Sequence, residues 1–255
     1  MTDTIDRSDA AGVLDRLVVR FAGDSGDGMQ LTGDRFTSVS ASFGNDLSTF
    51  PDFPAEIRAP QGTVNGVSSF QVQISDHDIT TPGDEPNVLV AMNPAALQAD
   101  LYRLETGGTL IVNEDAFDER NLEKAGYHAN PLDDGTVSQY RVLRVPMTSI
   151  TKKACSELGV KPRDAERSKN FFALGLVSWM YTRPTEPTLE WIQQKFAKNE
   201  LVASANTAAF NAGFAFGETT EAVGHRYEVR PARLPAGEYT SITGNTALAW
   251  GLVAA

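Results

Sequence analysis

The chain is poor in the residues that hold metals and clusters, with one cysteine and three histidines among 255 residues. Cys155 alone excludes an internal disulfide, and a single thiolate cannot hold an iron–sulfur cluster, which takes four. It sits in a helical context, residues 148–158, where a small buried hydrophobe is the default reading. His77, His128 and His225 are far apart in unlike surroundings, so no metal site is expected. Basic residues are also short, 22 against 33 acidic ones, and the net charge of −11 opposes binding to nucleic acid or to anionic lipid. No apolar run approaches the ~20 residues of a membrane span. The polar, acidic first dozen residues form neither a signal nor a transit peptide, and residues 1–13 read as the disordered leader of a cytoplasmic protein. What remains is ordinary globular composition, 41% hydrophobic, enough for a sizeable core in one large domain or two smaller ones.

Against that background one stretch stands out: Gly23, Asp24, Ser25, Gly26, Asp27 and Gly28, between the apolar run of residues 17–22 and a helical pattern starting near Met29. Glycines at a strand-to-helix turn let the backbone approach a phosphate closely. The spacing, however, is G-x-x-G-x-G rather than the G-x-G-x-x-G of dinucleotide sites, and no Gly-Lys-Ser/Thr follows. Asp24 and Asp27 count further against an anion at a helix N-terminus, and Asp27 reads as the N-cap. Gly26-Asp27-Gly28 also matches the opening of the magnesium-diphosphate motif of thiamine enzymes, but the asparagine that completes it is missing from residues 53–58. The plain reading is a tight turn that closes a strand onto a helix.

Periodicity supplies the architecture. Residues 14–22 read as a buried strand and Met29, Phe36, Val39 and Phe43 as a helix ending at Gly44-Asn45. Residues 46–60 hold three prolines and are expected to be extended and irregular rather than a central strand. Phe70, Val72 and Ile74 alternate with Gln71 and Gln73, the period of a half-solvated antiparallel strand in a mixed sheet. Residues 88–92, 109–112 and 140–145 are further strands. Asn93-Pro94 offers a helix N-cap and first-turn proline. Helices are predicted over 148–158, 163–181, 188–198 and 200–223, with Ala205, Ala208, Ala209 and Ala212 admitting a close neighbour. Residues 224–243 have linker composition. Asn245 reads as the cap of a final apolar helix, in which the chain stops as if a further domain were cut short. The fold class is therefore α/β, a three-layer α/β/α domain with a mostly parallel mixed sheet, followed by helices and the start of a second domain.

Four segments together carry a family resemblance: Phe21-Ala22-Gly23-Asp24-Ser25-Gly26-Asp27-Gly28, Pro54-Ala55-Glu56-Ile57-Arg58-Ala59-Pro60, Ala91-Met92-Asn93-Pro94 and Ser241-Ile242-Thr243-Gly244-Asn245. The chain resembles the N-terminal part of the alpha subunit of 2-oxoacid:ferredoxin oxidoreductases, most of all the 2-oxoglutarate type with a gamma domain fused ahead of the alpha domain. The resemblance covers residues 14–255. It implies a gamma domain over 14–223, a linker over 224–243, and over 244–255 the start of a truncated pyrimidine-binding alpha domain. The family's Tyr-Pro-Ile-Thr-Pro motif would then lie beyond Ala255.

The implied activity is oxidative decarboxylation of a 2-oxoacid with coenzyme A to an acyl-CoA, carbon dioxide and reduced ferredoxin. Thiamine diphosphate, magnesium and an iron–sulfur cluster would be bound in partner domains and none by this chain alone, so the isolated chain is expected to be inactive. The implied partners are the beta subunit, and ferredoxin and coenzyme A through the complex. Coenzyme A-facing candidates are Gly23, Asp24, Ser25, Gly26, Asp27, Gly28, Arg58 and Asn93. For Asn93 the helix-cap role is preferred, whereas Arg58 reads equally as an anion contact or a surface arginine. Without the resemblance, the residues fit a stand-alone nucleotide-binding or subunit-docking α/β module.

Overall fold

The apolar run ahead of the glycine loop becomes the centre of a sheet. In the computed structural model, which describes residues 12–54, 59–220 and 223–255, β1 (Gly12–Leu14) is followed by β2 (Arg16–Asp24), α1 (Met29–Phe43), β3 (Asp46–Asp52), β4 (Val67–Ser75) and β5 (Val88–Ala91). There follow α2 (Pro94–Asp100), β6 (Thr109–Asn113), α3 (Glu119–Lys124), β7 (Arg141–Val145) and α4 (Met147–Ala154). The remainder is α5 (Pro162–Ala165), α6 (Lys169–Met180), α7 (Glu186–Lys195), α8 (Glu200–Thr219), β8 (Tyr227–Val229) and α9 (Gly244–Ala254).

Six strands form one sheet in the order β3-β4-β2-β5-β6-β7. Strands β2, β5, β6 and β7 run parallel, and β4 is antiparallel to both its neighbours. Parallel strands covered on both faces must be apolar throughout, which is why β5 and β6 read as continuous hydrophobic runs. Phe21, Val90 and Ile111 face α1, α6 and α8, and Ala22, Leu89, Leu110 and Val112 face Leu97 of α2 and Leu122 of α3. The expected three-layer α/β/α arrangement with a mostly parallel mixed sheet is present.

Several expectations are corrected. Residues 46–52 are regular rather than irregular, though as expected not a central strand: β3 is the sheet edge, where the missing N–H of Pro51 breaks no ladder. The polar face of β4 is not half-solvated, since Gln71 and Gln73 are buried. Gln71 Nε2 donates to the carbonyls of Pro82 and Gly83 in the loop that covers it. The charge within β2, Arg20, is 1% exposed and sits among Asp52 (2.7 Å), Asp100 (2.9 Å) and the Ser69 hydroxyl (2.6 Å). A buried guanidinium persists only with such a set of partners.

The predicted helix over 163–181 is broken into α5, a 3-10 turn at Glu166–Ser168, and α6. The α8 alanines do meet neighbours, Ala205 and Ala208 packing against Cys155, and glycines make the closest crossing. A Cβ on Gly175 would lie 2.0 Å from the Phe210 carbonyl oxygen, and one on Gly213 would lie 2.0 Å from that of Phe172, so α6 and α8 cross backbone to backbone there. The cap of α9 is Thr243, whose Oγ1 accepts from Thr246 N at 3.2 Å, rather than Asn245. Gly12 and Val13, assigned to the leader, pair in β1 with β8, which lies inside the expected linker. Residues 1–11 of the leader are outside the described residues.

Candidate functional site

The chain leaves β2 through α1 toward β3 at one edge of the sheet and leaves β5 through α2 toward β6 on the other side. The crevice between the carboxyl ends of β2 and β5 is therefore a topological switch point, the usual ligand position in open α/β sheets. The glycine loop, residues 23–28, forms one wall of it and Asn93 another.

The glycines of the loop differ in what requires them. Gly28 is the N-cap of α1 at φ 77°, and a Cβ there would lie 2.7 Å from Asn170 Nδ2. A Cβ on Gly23 would lie 3.1–3.2 Å from Asp27 and Met29 side-chain atoms. A Cβ on Gly26 would meet nothing within 4 Å. Neither sterics nor conformation requires glycine at position 26.

The aspartates are withdrawn into the fold. Asp27 does not cap α1, as its position suggests; Gly28 takes that place without a side-chain bond. Instead Asp27 Oδ2 accepts from the Asp24 N–H at 3.2 Å, and Oδ1 pairs with Lys169 Nζ at 2.9 Å. Asp24, 6% exposed, accepts the Gly62 N–H on both carboxylate oxygens at 3.1 and 3.2 Å. Burial, then the charge of Asp27, push the Asp24 carboxyl above the usual range, against the pull of Gly62, Asn93 and Lys169. Asn93 keeps its capping role, with Oδ1 accepting from Ala96 N at 2.8 Å. One carboxylate of the loop is thus paired with a lysine, and the other is buried with its carboxyl raised.

Two cavities open beside the loop. The first, about 460 Å³, lies over the strand ends between Asp24, Asn93, Asn113, Thr148 and Lys152. Its lysines are engaged internally, Lys152 with Glu166 at 2.9 Å and Lys124 with the Gln61 carbonyl at 3.4 Å. The second, about 480 Å³, lies outside the loop between Ser25, Gly26, Ala59, Arg163, Arg167 and Lys169. Arg163 and Arg167 are exposed and make no ion pair or hydrogen bond among the described residues. These cations, together with Lys169, were not singled out from sequence; the signal was present as basic residues at i and i+4 ahead of an apolar helix. Arg58 lies outside the described residues, although its neighbour Ala59 lines this cavity.

The chain's own donors do not fit thiamine diphosphate with magnesium or a cluster. The aspartate of Gly26-Asp27-Gly28 is committed to Lys169. Among the described residues no group of histidine, cysteine and carboxylate side chains is placed to hold a metal. Cys155 is buried, with its thiol pushed up by burial and directed to the Ala205 carbonyl at 3.6 Å. No helix among them is long and apolar enough to cross a membrane.

The fold and the site define a mixed α/β domain with a polar crevice at the switch point of its sheet. The chain belongs to the pyruvate ferredoxin/flavodoxin oxidoreductase (POR) family, which it matches over residues 18–216. It is 59% identical over 242 residues, 95% of its length, to the 2-oxoglutarate oxidoreductase subunit KorA of Mycobacterium tuberculosis, and spans 37% of that protein. A similar fold occurs in the 2-oxoglutarate:ferredoxin oxidoreductase of Magnetococcus marinus, solved with 2-oxoglutarate, coenzyme A and succinyl-CoA bound. There the TM-score is 0.66 at 23% identity, over 86% of this chain and 34% of that one. The gamma subunit of a keto/oxoacid ferredoxin oxidoreductase from Geobacter sulfurreducens matches with a TM-score of 0.55 at 20% identity, over 80% of this chain and 99% of that one. At such identities the likeness to solved structures concerns the fold.

Proposed function

We propose that this chain supplies the gamma domain of a 2-oxoacid:ferredoxin oxidoreductase acting on 2-oxoglutarate, and that the glycine loop faces coenzyme A. The reaction would convert the 2-oxoacid and coenzyme A to an acyl-CoA and carbon dioxide, with the electrons passing to ferredoxin. Thiamine diphosphate with magnesium and the iron–sulfur cluster, bound in partner domains, would supply the decarboxylation and electron-transfer chemistry. The observation that carries the reading is Gly26, a glycine that the fold does not need, lining the second cavity beside Arg163 and Arg167. On this reading Gly23 and Gly28 set the loop's shape, Asp24 holds it against Gly62, Asn93 caps α2, and Asp27 fixes Lys169 at its rim. Ser25 and Gly26 offer backbone to the ligand, and Arg58 is assigned the anionic end with Arg163 and Arg167. The beta subunit and ferredoxin are the partners the reaction requires, in a cytoplasmic setting.

The test is to co-produce the chain, within its natural polypeptide, with the beta subunit and follow ferredoxin reduction by 2-oxoglutarate. Reduction that depends on coenzyme A is expected. Absence of reduction with any 2-oxoacid would overturn the reading.

A further inference from the structure

Residues 224–243, which have linker composition, divide into two unlike parts. Residues 235–243 are exposed throughout. Residues 226–233 are instead fastened where α1 and α6 end, at the opposite end of both helices from the glycine loop.

Asn45, buried just past α1, donates through Nδ2 to the carbonyls of Val229 at 3.2 Å and Arg230 at 2.7 Å, and its Oδ1 accepts from Arg183 Nη1. Arg183, 2% exposed, donates to the Val229 carbonyl at 3.1 Å through Nη2 and to that of Tyr181 at 2.9 Å through Nε. Its guanidinium lies 4.5 Å from the centre of the Phe43 ring. Thr182 Oγ1 donates to the Tyr227 carbonyl at 2.8 Å. The Ala232 N–H reaches the Gly44 carbonyl at 2.9 Å, and the Arg233 N–H reaches that of Asp76 at 3.3 Å.

This fastening carries two costs. Arg183 has no ion-pair partner among the described residues, and burial pushes its pKa down to about 10 against the pull of the Glu228 charge. Carbonyls, one amide and one ring stand in for its water. Thr182 is β-branched yet sits at φ 53°, in the left-handed region, and such strain persists only where neighbours impose it. Lifting residues 227–233 would hydrate the guanidinium and let Thr182 relax. The strand it would release, β8, pairs with β1 in a two-stranded sheet, which has little stability of its own. Against opening stand the burial of Val229 and the Tyr181–Tyr227 stack at 6.0 Å.

We propose that Asn45, Thr182 and Arg183 form a clamp that opens and closes on residues 227–233 while the six-stranded sheet stays folded. Closed, the clamp leaves residues 235–243 as the tether to α9, a reach of at most ~30 Å; open, it releases residues 224–243, a reach of ~70 Å. The clamp therefore sets how far the apolar surface of α9 ranges from the sheet. The inference goes beyond the oxidoreductase reading and does not depend on it.

Hydrogen exchange of the 255-residue chain, read amide by amide in NMR spectra, tests it. Three classes of rate are expected in the parent: residues 236–242 fastest, Ala232 and Arg233 at least tenfold slower, and β5 at least tenfold slower again. Asn45→Ala and Thr182→Val should each speed Ala232 and Arg233 tenfold or more and leave β5 at its parental rate. Thr182 is half-buried and Thr182→Val keeps its shape, so this variant decides the matter where Asn45→Ala also speeds β5. Exchange of Ala232 and Arg233 as fast as residues 236–242 in the parent overturns the clamp, and exchange as slow as β5 overturns its opening. Rates at Ala232 and Arg233 that Thr182→Val leaves unchanged, or raises only together with β5, overturn the proposal as well.

Discussion

Single residues around the loop separate shape from contact. A methyl on Gly26 has open space, so Gly26→Ala is expected to change stability by no more than about 0.5 kcal/mol, as at an ordinary surface position. If the Gly26 backbone meets coenzyme A, the same change raises KM for coenzyme A severalfold in the assembled enzyme while kcat holds; an unchanged KM removes Gly26 from the site. Lys169 is the opposite case, because its partner is mostly buried, 14% against 7% side-chain exposure for the pair. Lys169→Met strands the Asp27 charge and is expected to cost about 3 kcal/mol in urea unfolding, as for other broken buried pairs. Adding Asp27→Asn should recover part of that loss, a coupling that a double-mutant cycle measures. Asp24 gives a pH dependence of definite sign. Its carboxyl is raised in the folded chain, so the folded state binds its proton more tightly than the unfolded state does. The resulting penalty is absent below the ordinary carboxylate value, grows as pH climbs toward the raised folded value, and is constant above it. Asp24→Asn removes that penalty and can still accept the Gly62 N–H through its remaining oxygen. Its stability relative to the parent should therefore be highest at neutral pH and should decline as pH falls toward 4, followed by thermal melts across that range.

At the scale of elements, legibility tracked the length of the pattern. Strands β2, β5, β6 and β7 and helix α1 were readable because long apolar or amphipathic runs leave few alternatives. The three-residue strands β1 and β8 were not, since a period of two cannot be recognised over three residues. The buried polar face of β4 was misjudged because alternation reports which side is polar and not what covers it; here the covering is the loop whose carbonyls receive Gln71. The glycine loop was legible but its basic neighbours were not, because Lys169, Arg163 and Arg167 lie some 140 residues downstream and only the tertiary fold brings them beside residues 24–27. The crossing of α6 and α8 was hidden for a related reason: alanines advertise close packing, yet Gly175 and Gly213 make the contact. Gly213→Ala must push the helices apart against a backbone carbonyl and should cost at least about 3 kcal/mol, the upper end of overpacking. A denaturant midpoint near the parental value would show that the helices can separate freely. α9 contrasts with this pair, with no buried residue and with Leu248, Trp250, Leu252 and Val253 exposed. Such an apolar surface favours association.

For the whole molecule, the geometry sets the division of labour. The sheet and its helices build a crevice with backbone, amides and cations around it, while the described carboxylates are either engaged within the fold or exposed without metal-holding neighbours. The one thiol is buried in an apolar setting that disfavours the reactive thiolate. With one cysteine, the chain cannot by itself supply the four thiolates of an iron–sulfur cluster. The 255-residue chain by itself is accordingly expected to bind coenzyme A in a calorimeter, yet to show no 2-oxoglutarate turnover with an artificial acceptor, even with thiamine diphosphate and magnesium added. The two measurements fail separately. Turnover by the chain alone would place the decarboxylation chemistry within it, against the commitment of Asp27 to Lys169. Turnover of the assembled enzyme without measurable binding to the chain alone would instead mean that the coenzyme site is completed only when the partner domains close over the glycine loop.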